Sequence, residues 1–543
     1  MSYLKMRTGA APSTPPAGVV EYWSATDKRL HYIDENGAQG PVGGGPSNWV
    51  NVTQQATPVL TTNTAAQNVT AINAILAAAQ NGQTIYFPAG NYSFNAAWTM
   101  PAVALTFRGE GFNTGGFTNL QWTTNVAGTL ITLAALHWYT NFINLSFSTT
   151  VNQTAGYVID VNGNVSINFY GCNFQGSASA TLFSCIGFTG SNGGNTTIVD
   201  TCTFSGFTGI AIDVDSNGAS LVVVNSIISG QWGTTTQTAT AGIRTQRCGA
   251  LQVDNCDLIG ATNNMLLTPG ASQVTASVQV NNTYMDNANG SCLKITGVGA
   301  TVRTKFNCCT FTTSSATAGL TAVEISTTVA AGAQGIDFIN CNILNTFGTT
   351  GTTNGFLITG AADFSIVACR IAGWTNGIQL TPWTTAGATI AQILENIIGT
   401  SGGYGVNAVG ILLNAGAAAL GALEIMSNDL NGNTTPITNN LVANIPATAS
   451  RYRIMDNAGH NPRGGVTTPA VPASGATATN TTGYRVNILI KLGTTPPTVL
   501  VVNGVTATAF IGALSTDMIF VLDPGGTISF TYTVAPTWVW IGN

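Results

Sequence analysis

The sequence predicts an all-β chain whose middle part is a parallel β-solenoid with three short strands per turn. Three observations predict it. A column of mostly small residues returns every 24 to 32 positions: Leu145, Cys172, Cys202, Ser226, Cys256, Thr283, Cys309, Cys341, Cys369, Asn396, Asn428 and Asn457. Three residues before each member stands an apolar side chain without exception, from Phe142 to Ile454. Two residues after it the same holds from Phe147 to Leu430, and only Gly459 departs. A drifting period in the twenties, framed by alternation of period two, is the mark of stacked strand units.

Composition points the same way. Charged residues are 7% of the chain, far below the roughly 25% of an average soluble protein, and apolar residues are 44%. That balance is opposite to the one that keeps a chain disordered. The 16 basic residues are dispersed and the net charge is −5, so no basic stripe calls for a nucleic-acid partner. Ten cysteines among 543 residues are too dilute for a disulfide framework and form no CxxC pair. Reduced, packed thiols are expected, with no metal site and no cofactor. The opening MSYLKMRTGAAPSTPPAG lacks the apolar core of a secretory signal. The most apolar later run, VGILLNAGAAALGALEIM, is broken by Asn414 and Glu424, so no membrane insertion is expected.

Residues 1–50 contain GVVEYWSATDKRLHYIDENGAQGPV, two short strands about polar turns, followed by a Gly-Pro linker. In 64–80, Val69, Ile72, Ile75 and Leu76 fall at helical spacing. A helix there caps the first turn, whose strand edges would otherwise stay unpaired. The shaft is assigned to 51–463. Within LQVDNCDLIG, residues 251–260, Leu251, Val253 and Asn255 share one parity, and Cys256, Leu258 and Gly260 the other. Two inward positions thus meet at Asn255–Cys256 in a sharp bend. The residue before the column is often an asparagine (Asn144, Asn225, Asn255, Asn282, Asn340), which suits a turn. The column itself lies just inside the corner, where layers about 4.8 Å apart admit only small side chains. A third strand follows at variable distance, as in GIAIDVD from 209, AGIRT from 241 and VGILL from 409. Residues 464–543 alternate strongly (YRVNILIKL, TISFTYTV, PTWVWIG) and predict a small β-sandwich.

The capping helix, Gly82, the run Phe87-Pro88-Ala89-Gly90-Asn91-Tyr92 and FRGEG at 107–111 resemble the opening of the pectate-lyase-like β-helix superfamily, over about 64–460. The leading segment and DPGGTISFTYTVAPTWVW near the end are similar to terminal modules of bacteriophage tailspikes and tail fibres. The resemblance implies a right-handed parallel β-helix and a homotrimer. It also implies a virion appendage assembled in the host cytoplasm, with residues 1–50 held by a baseplate, tail or portal-vertex protein and a host surface glycan as target. Two other readings stay open: a depolymerase of that glycan, and a structural fibre of a capsid vertex that binds no receptor.

Candidate chemistry is sparse. Asp213 and Asp215 alternate on one strand, so both should face outward, roughly 6–7 Å apart, near the separation in an inverting glycosidase. Asp200 and Asp254 share an outward ladder two turns apart, with Asp257 around the corner. These four acids, Asp200, Asp213, Asp215 and Asp254, are the catalytic candidates. Trp232, Phe347, Trp374, Trp383 and Tyr404 lie in or beside the variable corners and are the candidates for stacking on sugars. Ile339, Val367, Leu394, Met426 and Met455 form an outward apolar ladder on five consecutive turns, an expected subunit interface. Lys294 and Glu324 occupy one outward position on adjacent turns and should pair. His31, His137 and His460 are isolated, and Asn396, Asn428 and Asn457 are expected to form an internal amide ladder.

Overall fold

A strand with one apolar face needs a neighbour of the same pattern about 4.8 Å away, and this chain supplies it by coiling on itself. The computed structural model describes residues 48–542 except for connecting segments, the longest of them 231–238, 415–421, 441–451 and 508–517. Of residues 1–47 it describes the backbone of four short strands, 7–8, 21–24, 30–33 and 39–41.

Each turn carries three strands, which stack in parallel register on three faces. On the first face, Phe142, Phe169, Val199, Val223, Val253, Val280, Phe306, Phe338, Ile366, Ile393, Ile425 and Ile454 pair in succession. All twelve are fully buried. The second face is a 12-stranded sheet in which Phe147, Phe174, Phe204, Ile228, Leu258 and Met285 follow the same rule. The third runs through Ile159, Ile186, Ile212, Ile243, Met265, Leu293 and Val323. Like packs on like: the Phe107, Phe142 and Phe169 rings stack with centroids 5.0 and 5.3 Å apart, close to the strand spacing itself.

The bend between the first two faces differs from the sequence expectation in one respect. The residue before the column takes a left-handed conformation in all twelve layers, with φ between 48° and 58° from Asn144 to Asp456. That rotation turns its side chain outward, and Asn255 is exposed. One residue at positive φ therefore flips the phase, and two inward positions do not abut. Asparagine recurs there because it tolerates this conformation better than most residues. The column residue is buried in every layer. Its thiol or amide faces a carbonyl of the layer below: Cys256 Sγ lies 3.5 Å from Val223 O, and Asn428 Nδ2 donates to Ile393 O at 2.9 Å. Cysteine is thus a compact apolar filler with a weak donor, and the asparagines do the same work more strongly. Among the described residues all ten cysteines are free, and only Cys308 is exposed.

Helix α1 (Ala65–Ala78) caps the amino-terminal end with Ile72 and Leu76 fully buried. Thr64 and Gln67 close a reciprocal capping box. Asn68, also fully buried, clips α1 to the shaft by donating to Leu60 O and Ser93 O. At the other end two four-stranded antiparallel sheets enclose a second core built from Val486, Ile488, Ile490, Leu522, Phe530 and Trp540. The amino-terminal region forms one sheet of four short strands, where the sequence suggested two.

Candidate functional site

The outward ladder of the third face collects the charged groups. Asp160, Gly187, Asp213 and Arg244 pair in succession, and Lys294 and Glu324 follow further along. The Lys294–Glu324 pair forms as expected, at 2.9 Å. Asp213 leaves the core face as its parity requires, yet it is only 2% exposed. Arg244 grips it with two bonds, Nε to Oδ1 at 2.8 Å and Nη2 to Oδ2 at 2.7 Å, and the Tyr157 hydroxyl donates to Oδ2 at 2.6 Å. Tyr157 reaches Asp213 across Gly187. A Cβ there would sit 2.8 Å from the phenol ring, so the glycine makes room for the lid. Asp215 pairs with Arg247, which a register shift after Val214 brings opposite it. Both acids of this pair are therefore engaged by arginines, and Asp213 is closed off from a polymer.

Asp160 is buried under the same cluster and accepts from Thr189 Oγ1 at 2.9 Å. Burial pushes its carboxyl up to about 6 from an ordinary value of 3.8. A raised carboxyl weakens the fold once it ionises. The penalty is complete above pH 6, shrinks as pH falls through the folded value, and vanishes below about 3.8. Asp160→Asn should therefore raise the melting temperature at pH 7.5 and leave it unchanged near pH 3.5, which a pH series of thermal melts checks.

Asp200 and Asp254 stand on the first face with Val224 between them. Each accepts from an asparagine of the left-handed corner: Asn225 Nδ2 to Asp200 Oδ1 at 3.1 Å, and Asn282 Nδ2 to Asp254 Oδ1 at 3.4 Å. Asn255 extends the chain by donating to Asn225 Oδ1 at 2.8 Å. The two carboxylates thus anchor a polar ridge along the corner, and Asp257 is exposed just beyond it.

Trp374 does not belong with the surface aromatics. It is fully buried, and its indole N–H donates to Ile343 O at 3.1 Å. Gly373, at φ 86°, turns the chain so that the ring fills the interior instead of facing a corner loop. Tyr404 is half-buried on the outside. Trp232 and Phe347 lie outside the described residues, as does the side chain of Trp383, on the strand Asn376–Thr384. The apolar ladder forms in register: Ile339, Val367, Leu394, Met426 and Met455 are paired neighbours, each half-buried on the outer face. One second-face aromatic escaped the sequence reading. Tyr284 is 37% exposed and follows the column directly instead of sitting in a variable corner. Among the described residues no cluster of three or more His, Cys, Asp or Glu could hold a metal, and no helix is long and apolar enough to cross a membrane.

Fold and ladders together define a class: a parallel β-solenoid shaft followed by an antiparallel β-module. No family model matches the chain, and no curated protein matches it. Solved structures of similar architecture include tailspike protein 3 of bacteriophage CBA120, 13% identical, with a TM-score of 0.43 over 81% of this chain and 67% of that one. Another is the gp49 tailspike of the Acinetobacter baumannii bacteriophage Fri1, a capsular polysaccharide depolymerase, 10% identical, with a TM-score of 0.37 over 98% of this chain and 97% of that one. A third is the catalytic domain of a GH87 alpha-1,3-glucanase, 13% identical, with a TM-score of 0.40 over 77% and 70%. None of these scores reaches 0.5, and the functional reading rests on this chain's own residues.

Proposed function

We propose that the chain is a bacteriophage tailspike or tail fibre: a homotrimeric virion appendage, held through residues 1–50, that binds a host surface polysaccharide. The observation that carries the assembly part of this reading is the apolar ladder from Ile339 to Met455. A solenoid alone in water has no use for Ile, Val, Leu and Met stacked in register on an outer face, whereas one packed against sister chains does. The carboxy-terminal module supports it. Leu489 pairs with Ile519 on one side and Val539 on the other, all on the outer surface of one sheet, and Ile519 and Val539 are 64% and 52% exposed. A trimer would bury both surfaces.

Light scattering of the purified protein should give three times the chain mass of 55.8 kDa. Leu394→Asp should release monomers, because a carboxylate in an apolar interface loses its hydration without a partner. A monomeric wild type overturns the assembly part. Adsorption of labelled protein to host cells, absent for a fibre of purely structural role, tests the receptor part. The enzymatic reading keeps Asp200, Asp215 and Asp254 as candidates, and release of reducing sugar from host capsule or lipopolysaccharide, lost on Asp254→Asn, would favour it.

A further inference from the structure

On the second face, one outward row runs Asp257, Tyr284, Thr310, Asn342 and Arg370 in strand register. The next outward row places Asp286 beside Thr312. The Thr312 hydroxyl bonds Asp286 Oδ1 at 2.6 Å and the Tyr284 hydroxyl at 3.1 Å. Threonine has one proton and a carboxylate only accepts, so Thr312 donates to Asp286 and accepts from Tyr284. The bond carries the phenol diagonally from its own layer to the next row of the next layer. The ring therefore lies along the sheet instead of standing out from it, and it remains 37% exposed. Burial and the Asp286 charge raise the phenol's pKa, and Tyr404 adds to the rise from within electrostatic reach. The Tyr284 phenol near the carboxylate is thus neutral at any physiological pH.

We infer that Tyr284, oriented by Thr312 and Asp286, is a platform for one sugar ring, and that it selects neutral or amine-bearing sugars over acidic ones. This rests on the glycan-binding reading above and deepens it. A recumbent aromatic ring beside hydroxyl and carboxylate acceptors is suited to a sugar, whose C–H face packs on the ring while its hydroxyls donate at the edge. The selectivity follows from charge. Asp286 shares Thr312 with the phenol, Asp257 is the strand neighbour of Tyr284 in the preceding layer, Asp254 lies around the corner, and the first cation in the row is Arg370, three strands on and roughly 14 Å away. A uronate or sialate placed on Tyr284 would meet the Asp286 carboxylate, with Asp257 one strand behind, whereas a protonated amino sugar would be attracted to them.

The full-length protein, probed on an array of bacterial polysaccharides with neutral, amino-sugar and uronate-bearing members, is expected to bind the first two classes in preference to the third. Against the best of these glycans, Tyr284→Ala should weaken binding by about tenfold, the equivalent of 1.4 kcal/mol. Tyr284→Phe, which keeps the ring, should stay within about threefold. Asp286→Asn should relax the discrimination against uronates, a change that a merely structural residue would not produce. Tyr284 faces away from the core, so melting curves should show all three variants folded. Wild-type binding that Tyr284→Ala leaves intact, or a preference for uronates, overturns this site and leaves the glycan reading standing. A wild type that binds no member of the array overturns both.

Discussion

Asn428→Leu is expected to be among the most damaging single substitutions in the shaft. Asn428 is buried and sits mid-ladder. Its Nδ2 donates to Ile393 O and to Asn457 Oδ1, and its Oδ1 accepts from Asn396 N and Asn396 Nδ2. Leucine matches the volume but supplies neither donor nor acceptor. Ile393 O and Asn396 N would then be orphaned inside the corner, at about 1–3 kcal/mol each, or about 4 kcal/mol in all. Asn428→Cys should cost about half as much, because a thiol occupies the same column in the Cys309, Cys341 and Cys369 layers and reaches the equivalent carbonyl. Chemical denaturation of the three proteins should rank wild type, cysteine and leucine in that order. Equal stability of the leucine variant would mean that the amide ladder contributes nothing.

The second large effect is expected at Asp213. Removing one partner of a buried ion pair leaves the other uncompensated, typically at about 3–5 kcal/mol. Arg244 keeps a 27% exposed side chain and can turn partly to water, so about 3 kcal/mol is expected for Asp213→Ala. Tyr157, which loses its acceptor, adds to the loss. The double variant Asp213→Leu with Arg244→Met should recover most of it, because both charges leave together and apolar side chains fill the space. Denaturant unfolding of the two single variants and the double variant measures the coupling. The same variants bear on enzymatic activity. If glycan cleavage is found in the wild type and survives in the stable double variant, Asp213 is a structural residue.

Much of the architecture was legible because a repeating backbone imposes a repeating demand. The positions flanking Cys256 are apolar in nearly every turn since each layer must fill the same interior, and the register observed is the one that stacks them. The corner was legible as a place and misread in its geometry. Asn255 continues the alternation on paper, but positive φ takes it out of phase, and a string of residue types does not display φ. The candidate sites fared differently. Parity sent Asp213 away from the core correctly, but a tyrosine 56 residues earlier in the chain covers it. The variable segments around Trp374 point to a corner, yet it fills the interior. Tyr284 carries no mark in the sequence, because what orients it is Thr312, 28 residues later.

By itself, then, the amino-acid order determined the solenoid, its three faces, its capping helix and the apolar ladder on its outside. Burial in a stacked sheet acts on each residue through its own strand and its immediate layers, and so writes a local, periodic pattern. Only the tertiary structure decided which outward side chains are covered, which acids are neutralised by arginines and which aromatic ring lies open. Those outcomes depend on side chains from different layers meeting outside the core, where no repeating constraint acts and a single glycine such as Gly187 can admit a lid.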